Sequence, residues 1–161
     1  VYDADRARIA EQALPPFRAA IDAGVRAVMS GHLLVPAYDP DLPATLSRRI
    51  LDELLRQELG FDGVIVTDDM NMLEDSGEAA YADAGANAVA AIGAGVTMLL
   101  YVQGVDIPGV VAAVAAAVRD GRIPAATIDD AAARLLELRR GMSGQTGPFV
   151  HCGDVCRTVV S

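Results

Sequence analysis

The chain has 161 residues and a formal net charge of −9, from 22 acidic against 13 basic residues. A negative field of this size repels nucleic acids and anionic membranes, so the charge argues against both as partners and favours a neutral or small polar ligand. Hydrophobic residues make up 52% of the chain but aromatic residues only 4%, so the core must be largely aliphatic. The longest apolar stretch, residues 107–118, is shorter than the roughly 20 residues that a membrane-spanning helix needs, and no span is expected.

The N-terminal part of the chain is predicted to form one helix and one strand. Apolar residues spaced three and four apart predict a helix over residues 7–23, which Gly24 ends. The short apolar run 25–29, bounded by glycines, predicts a buried strand. Proline interrupts both helices and ladders, so a loop is expected around three prolines that follow. They are Pro36, Pro40 and Pro43.

A second helix and strand follow this loop. Thr45 or Ser47 is positioned to cap a helix over residues 48–59, whose leucines and isoleucine lie along one side. Residues 64–66 are apolar and β-branched, and Thr67 is β-branched as well. Such a continuous run is typical of an internal parallel strand.

The C-terminal part repeats the alternation. A helix is predicted over residues 79–92, a strand over 96–101 and a helix over 108–119. Thr127 or Asp129 is expected to cap a last helix that runs to about residue 140. Alternating strands and helices predict an α/β fold with parallel strands. A complete (β/α)8 barrel takes about 250 residues, so this chain would hold only part of one.

Two consecutive carboxylates follow the second predicted strand directly. Asp68 and Asp69 stand at its carboxyl end, where parallel α/β sheets bind their ligands. Aspartate is also common in turns and helix caps. On spacing alone, a functional and a structural role are therefore both open.

Four sequence blocks carry a family resemblance: residues 14–24, 28–32, 43–47 and 58–70. In this order they resemble glycoside hydrolase family 3, in particular its β-N-acetylglucosaminidase branch. The similarity extends over residues 8–140. It implies a partial (β/α)8 TIM-type barrel of about the last three βα units, with residues 1–142 in the catalytic barrel and 143–161 as an irregular tail.

The resemblance implies that Asp68 is the catalytic nucleophile. In this family the first aspartate after the seventh barrel strand attacks the anomeric carbon and forms a glycosyl-enzyme ester. The sequence Asp68-Asp69-Met70 favours substrates with terminal β-linked N-acetylglucosamine. Substrate contacts are expected from His32, Asp69 and Met70, and no metal or cofactor is implied. Each of these three has a structural alternative: a hydrogen-bonded histidine, a helix cap or acceptor, and a core methionine.

The family's general acid/base, a His-Asp dyad on an earlier loop, has no counterpart in this sequence. Thr97 also stands where the family usually has an aspartate. The chain is therefore expected to be inactive alone, with the missing N-terminal barrel half as its partner. The start at Val1, without an initiator methionine, fits a piece of a longer protein, and the compartment, cytoplasmic or secreted, stays open. Alternatives are a non-catalytic half-barrel that forms a homodimer, a β-glucosidase and a glycoside phosphorylase.

The cysteines lie together near the C-terminus. Cys152 and Cys156, with His151 and Asp154, could form a metal clip or a disulfide pair. One such cluster supplies too few well-spaced ligands for a structural zinc site. An irregular tail is the preferred interpretation.

Overall fold

The computed structural model describes residues 1–143. Within them the strands are β1 (Ala27–Ser30), β2 (Leu34–Val35), β3 (Asp39–Pro43), β4 (Val64–Asp69) and β5 (Met98–Leu100). Three of them are parallel and form the main sheet, in the order β1, β4, β5. The short antiparallel pair of β2 and β3 lies apart from it. The parallel sheet confirms the predicted α/β class.

Helices precede and follow each strand of the main sheet. The predicted alternation of helix and strand is confirmed. Within the described part of the chain, no helix is both long enough and apolar enough to span a bilayer. The helices are α1 (Arg6–Arg8), α2 (Leu14–Asp22), α3 (Asn71–Glu74), α4 (Ala84–Ala94), α5 (Ile107–Arg119) and α6 (Ala125–Ser143), with π-helical segments Ile9–Ala13 and Arg49–Glu58 and 3-10 turns Ala44–Leu46 and Ala79–Tyr81.

The loop predicted around the prolines is instead partly ordered as the β2–β3 hairpin, so that prediction was wrong in part. The buried carboxylate of Asp39 organises the hairpin. It accepts hydrogen bonds from the backbone N–H groups of Asp41 (3.1 Å) and Leu42 (3.2 Å) and from the Ser47 hydroxyl (2.7 Å). Because this two-stranded hairpin has open edges, its strand β3 can include prolines without losing ladder bonds.

The two predicted helix caps have different outcomes. Ser47 accepts the backbone N–H of Ile50 at 3.3 Å, so it caps the helical run that begins at Arg48 and continues as the π-helix. The cap predicted at Thr127 or Asp129 is wrong, because α6 already begins at Ala125. Pro124 immediately precedes it, and proline fixes a backbone angle suited to starting a helix.

The core lies between one face of the sheet and the helices. Ile65 and Thr67 of β4 have no exposed surface on that side. The turn that leads into β4 is fixed by Arg56, whose guanidinium donates to the carbonyl oxygens of Phe61 (3.0 Å) and Gly63 (2.9 Å). The largest core cluster consists of Leu46, Leu51, Leu55, Phe61, Ile65, Met70, Leu73, Ala91, Ala94 and Val96.

The opposite face of the sheet carries an exposed apolar row. Met29 of β1 and Met98 of β5 both pair in register with Val66 of β4. Met29 is 57% exposed and Met98 is 42% exposed. Parallel sheets in α/β proteins are normally covered on both faces. We call this row, Met29, Val66 and Met98, the open face.

Candidate active site at the carboxyl ends of the strands

Asp68 and Asp69 are the last residues of β4, which extends beyond the strand predicted over residues 64–67. Both are partly buried. One carboxylate oxygen of Asp68 accepts the backbone N–H of Asp69 at 2.8 Å. Within residues 1–143, its other oxygen accepts no hydrogen bond. Asp68 thus offers a carboxylate that is held at one oxygen and available at the other.

Asp69 is committed to backbone contacts. Its Oδ1 accepts the N–H groups of Asn71 and Val102, both at 3.1 Å. Its carbonyl oxygen lies 3.0 Å from Nε2 of His32. These contacts support the structural alternative for Asp69, an acceptor behind the nucleophile, over the expected sugar contact.

His32 follows β1 and lies at the same edge of the sheet as the two aspartates. A carbonyl oxygen can only accept, so Nε2 of His32 must carry the hydrogen in its bond to Asp69. The other ring nitrogen, Nδ1, is buried and has no partner among the described residues. His32 therefore links the end of β1 to the end of β4.

Met70 lies in the hydrophobic core. It is 0% exposed and belongs to the main cluster with Phe61, Ile65 and Leu73. A side chain without exposed surface cannot contact a sugar in this arrangement. The packing alternative for Met70 is the one that the contacts support.

Sequence reasoning missed two polar side chains at this edge. The hydroxyl of Thr67 accepts the N–H of Leu100 at 2.9 Å. The side-chain oxygen of Asn71 accepts the N–H of Gln103 at 3.1 Å. Both residues flank the two aspartates in sequence, which was the available signal. Together with Asp69 they attach β5 and the loop after it to the end of β4.

Tyr101 follows β5 at the same edge and is partly buried, near Glu74. Its hydroxyl oxygen and one carboxylate oxygen of Glu74 have no hydrogen-bond partner within the described residues. Burial, and secondly the charge of Glu74, raise the pKa of Tyr101 above its ordinary value of 10.0. Tyr101 therefore keeps its proton near neutral pH and can donate a hydrogen bond.

In the described range, no group of three histidine, cysteine, aspartate or glutamate side chains could hold a metal ion. The candidate clip of Cys152, Cys156, His151 and Asp154 lies outside the described residues.

Comparison with known proteins gives the family. The sequence profile of the glycosyl hydrolase family 3 N-terminal domain matches residues 1–138. A β-N-acetylglucosaminidase/β-glucosidase of Cellulomonas fimi is 34% identical over 141 residues, which cover 81% of this chain and 24% of the relative. A β-hexosaminidase of Methylobacillus flagellatus is 40% identical over 100 residues, 62% of this chain and 28% of the relative.

A solved structure agrees with these relatives. The family 3 β-N-acetylglucosaminidase from Paenibacillus sp. str. FPU-7 superposes with a TM-score of 0.80 and 39% identity, over 94% of this chain and 28% of that protein. The chain thus spans 24% to 28% of the length of the three proteins compared. As the four sequence blocks predicted, the chain belongs to glycosyl hydrolase family 3.

Proposed function

We propose that this chain supplies the nucleophile of a retaining glycosidase that removes terminal β-linked N-acetylglucosamine. The observation that carries the proposal is the Asp68 carboxylate at the carboxyl end of β4, with one oxygen bound by a backbone N–H and the other available. The names of the relatives support the substrate class.

In the proposed reaction, the available oxygen of Asp68 attacks the anomeric carbon. The bond from this carbon to the leaving oxygen breaks, and a glycosyl-enzyme ester forms. A water molecule then hydrolyses the ester and restores the carboxylate. The N–H of Asp69 keeps the Asp68 carboxylate in one orientation through both steps.

The general acid must come from another segment. Retaining glycosidases hold the acid about 5 Å from the nucleophile. Asp69 is adjacent, but its Oδ1 already accepts two backbone N–H groups and its role is to hold the chain. We therefore propose that the acid is supplied by the earlier part of the barrel.

We further propose that residues 1–142 form about the last three βα units of a (β/α)8 barrel. The open face supports this, because methionines exposed on a parallel sheet require a cover. An apolar groove beside β1, lined by residues such as Ile9, Phe17 and Leu33, continues this surface along the free edge of the sheet. The cover that we propose is the preceding barrel half, whether joined to this chain or separate.

Self-association is a second candidate, because a second copy could also cover the open face. Sedimentation of the chain at several concentrations separates the two. A dimer that persists when the barrel half is added in excess would favour the non-catalytic scaffold. Replacement of the dimer by a one-to-one complex would favour the barrel.

The function is tested by combining this chain with the preceding barrel half of the Paenibacillus relative. We expect the complex to hydrolyse 4-nitrophenyl N-acetyl-β-glucosaminide and each part alone to be inactive. Asp68→Asn should abolish hydrolysis. Asp75→Asn, which changes an exposed aspartate, should not.

Covalent trapping identifies the nucleophile directly. A slow fluorinated N-acetylglucosaminide should leave its sugar on the peptide that contains Asp68, as read by mass spectrometry. A label on another residue, or full hydrolysis by the Asp68→Asn complex, would refute the proposal. Addition of phosphate distinguishes the two acceptors, since a phosphorylase would release sugar 1-phosphate instead of free sugar.

A further inference from the structure

The pairing of β4 with β5 contains an irregularity at the site. Val66 pairs with Met98, but the next pair is Asp69 with Leu100. Three steps along β4 therefore match two steps along β5, so β4 contains one extra residue between these pairs. Such a bulge bends the strand and redirects side chains, and bulges are frequent beside active sites. Thr67 and Asp68 occupy this bulge.

Two side chains of β4, one on either side of Asp68, bridge to β5 and to the loop that follows it. The Thr67 hydroxyl accepts the N–H of Leu100 at 2.9 Å. The Asp69 carboxylate accepts the N–H of Val102 at 3.1 Å. Thr67 is 0% exposed, so water does not compete for its hydroxyl. The bulge is thus held by side-chain oxygens immediately before and after the candidate nucleophile.

The backbone of Asp69 connects this bridge to the Asp68 carboxylate. Its N–H donates to Asp68 at 2.8 Å, and its carbonyl accepts from His32 at 3.0 Å. Asp69, whose N–H holds the Asp68 carboxylate, is therefore tied to the loop after β5 through its side chain and to His32, which follows β1, through its carbonyl. Loss of either tie lets that N–H reorient.

We propose that Thr67 and Asp69 are positioning residues, which hold the bulge in β4 and thereby orient the carboxylate of Asp68. The inference rests on the proposed function, because it takes Asp68 as the nucleophile. Neither residue needs to touch the sugar. Each acts through a hydrogen bond to a backbone N–H of β5 or its following loop.

The test uses the active complex of this chain with the preceding barrel half. Thr67→Val keeps the shape of the side chain and removes the acceptor, while Thr67→Ser keeps the hydroxyl. Asp69→Ala removes the carboxylate, while Asp69→Asn keeps an oxygen that can accept the same N–H. We expect Thr67→Val and Asp69→Ala to lower kcat about tenfold to hundredfold, because misplacement of a reacting group by an ångström costs that much.

The separate effects on kcat and KM distinguish a positioning role from general damage to the structure. KM should stay within about twofold, and the Thr67→Ser and Asp69→Asn variants should recover most of kcat. Asn87→Ala is the matched control, since it also removes a hydrogen bond of a buried side chain, here the one donated to the Tyr81 carbonyl at 2.8 Å, outside the candidate site. Its kcat per trapped active site should remain close to that of the unchanged chain.

Three results would overturn the inference. These are an unchanged kcat in Thr67→Val and Asp69→Ala, no recovery in the two conservative variants, or an equal loss of kcat in Asn87→Ala. The Asp68→Asn variant separates this failure from failure of the proposed function. Hydrolysis that requires Asp68 but ignores Thr67 and Asp69 overturns only the positioning role, whereas hydrolysis that persists without Asp68 overturns both.

Discussion

The imidazole of His32 donates a hydrogen bond from Nε2 to the backbone carbonyl of Asp69, 3.0 Å away. This bond joins residues that are 37 positions apart in sequence and ties the end of β1 to the end of β4. It acts on the carbonyl of the residue that follows the candidate nucleophile. His32 is therefore a structural tie within the candidate site.

Removal of the His32 ring should loosen this tie. We expect His32→Ala to lower the free energy of unfolding by about 1 kcal/mol for the lost hydrogen bond, plus a packing loss of similar size. Chemical denaturation of the complex measures the stability, and the hydrolysis rate is followed in parallel. His32→Gln can place an amide N–H at the same carbonyl and serves as the control. If the alanine and glutamine variants were equally impaired, the bond to Asp69 would not be the cause.

The close packing around Gly63, in the turn that leads into β4, gives a second prediction. A Cβ at Gly63 would overlap the carbonyl oxygen of Arg26 and the ring of Phe61. Neither can yield easily, because one is backbone and the ring is buried. Gly63→Ala should lower the free energy of unfolding by about 3 kcal/mol. Gly93→Ala is the control: Gly93 lies in α4 with nothing within 4 Å of a new Cβ, so alanine should stabilise by about 0.5 kcal/mol.

Much of the fold could be predicted from periodicity, because each helix and strand of the main sheet leaves a local pattern. The bulge at Thr67 and Asp68 could not. It depends on oxygens of β4 meeting N–H groups of Leu100 and Val102, which are 33 residues away in both cases. The pattern of apolar and polar residues along β4 does not indicate which distant N–H groups its side-chain oxygens will meet.

The same limit applies to the candidate site. Asp68 could be chosen as the candidate nucleophile from its place after a strand and from the family blocks. The different roles of its neighbours could not, since Asp69, Met70 and Asp68 are equally close in sequence to the strand end. Their roles follow from what each side chain meets: backbone N–H groups for Asp69 and the core for Met70.

Asp39 gives a prediction for acid stability. Burial alone would raise the pKa of this carboxyl, but hydrogen bonds from Ser47, Asp41 and Leu42, with the charge of Arg49, lower it below the ordinary 3.8. A lowered pKa in the folded state means that the ionised carboxylate stabilises the fold above pH 3.8, and that this contribution disappears as the pH falls through the lower folded-state pKa. The stability difference between the unchanged chain and Asp39→Asn should therefore be constant near neutral pH and shrink only below about pH 4. Denaturation curves across this range measure it, and a difference independent of pH would contradict the role of the charge.

The open face provides the most direct test of the proposed barrel. Met98 is 42% exposed on the row that the preceding barrel half is proposed to cover, so Met98→Glu would place a charge in that interface. Burial of an unpaired carboxylate costs several kcal/mol, and we expect the affinity for the barrel half to fall by about a hundredfold or more. Met142→Glu makes the same change on α6, where the side chain is 78% exposed, and should leave binding unaltered. Titration calorimetry with the barrel half gives both affinities. Equal affinities for the two variants would mean that the open face is not the surface that the rest of the barrel covers.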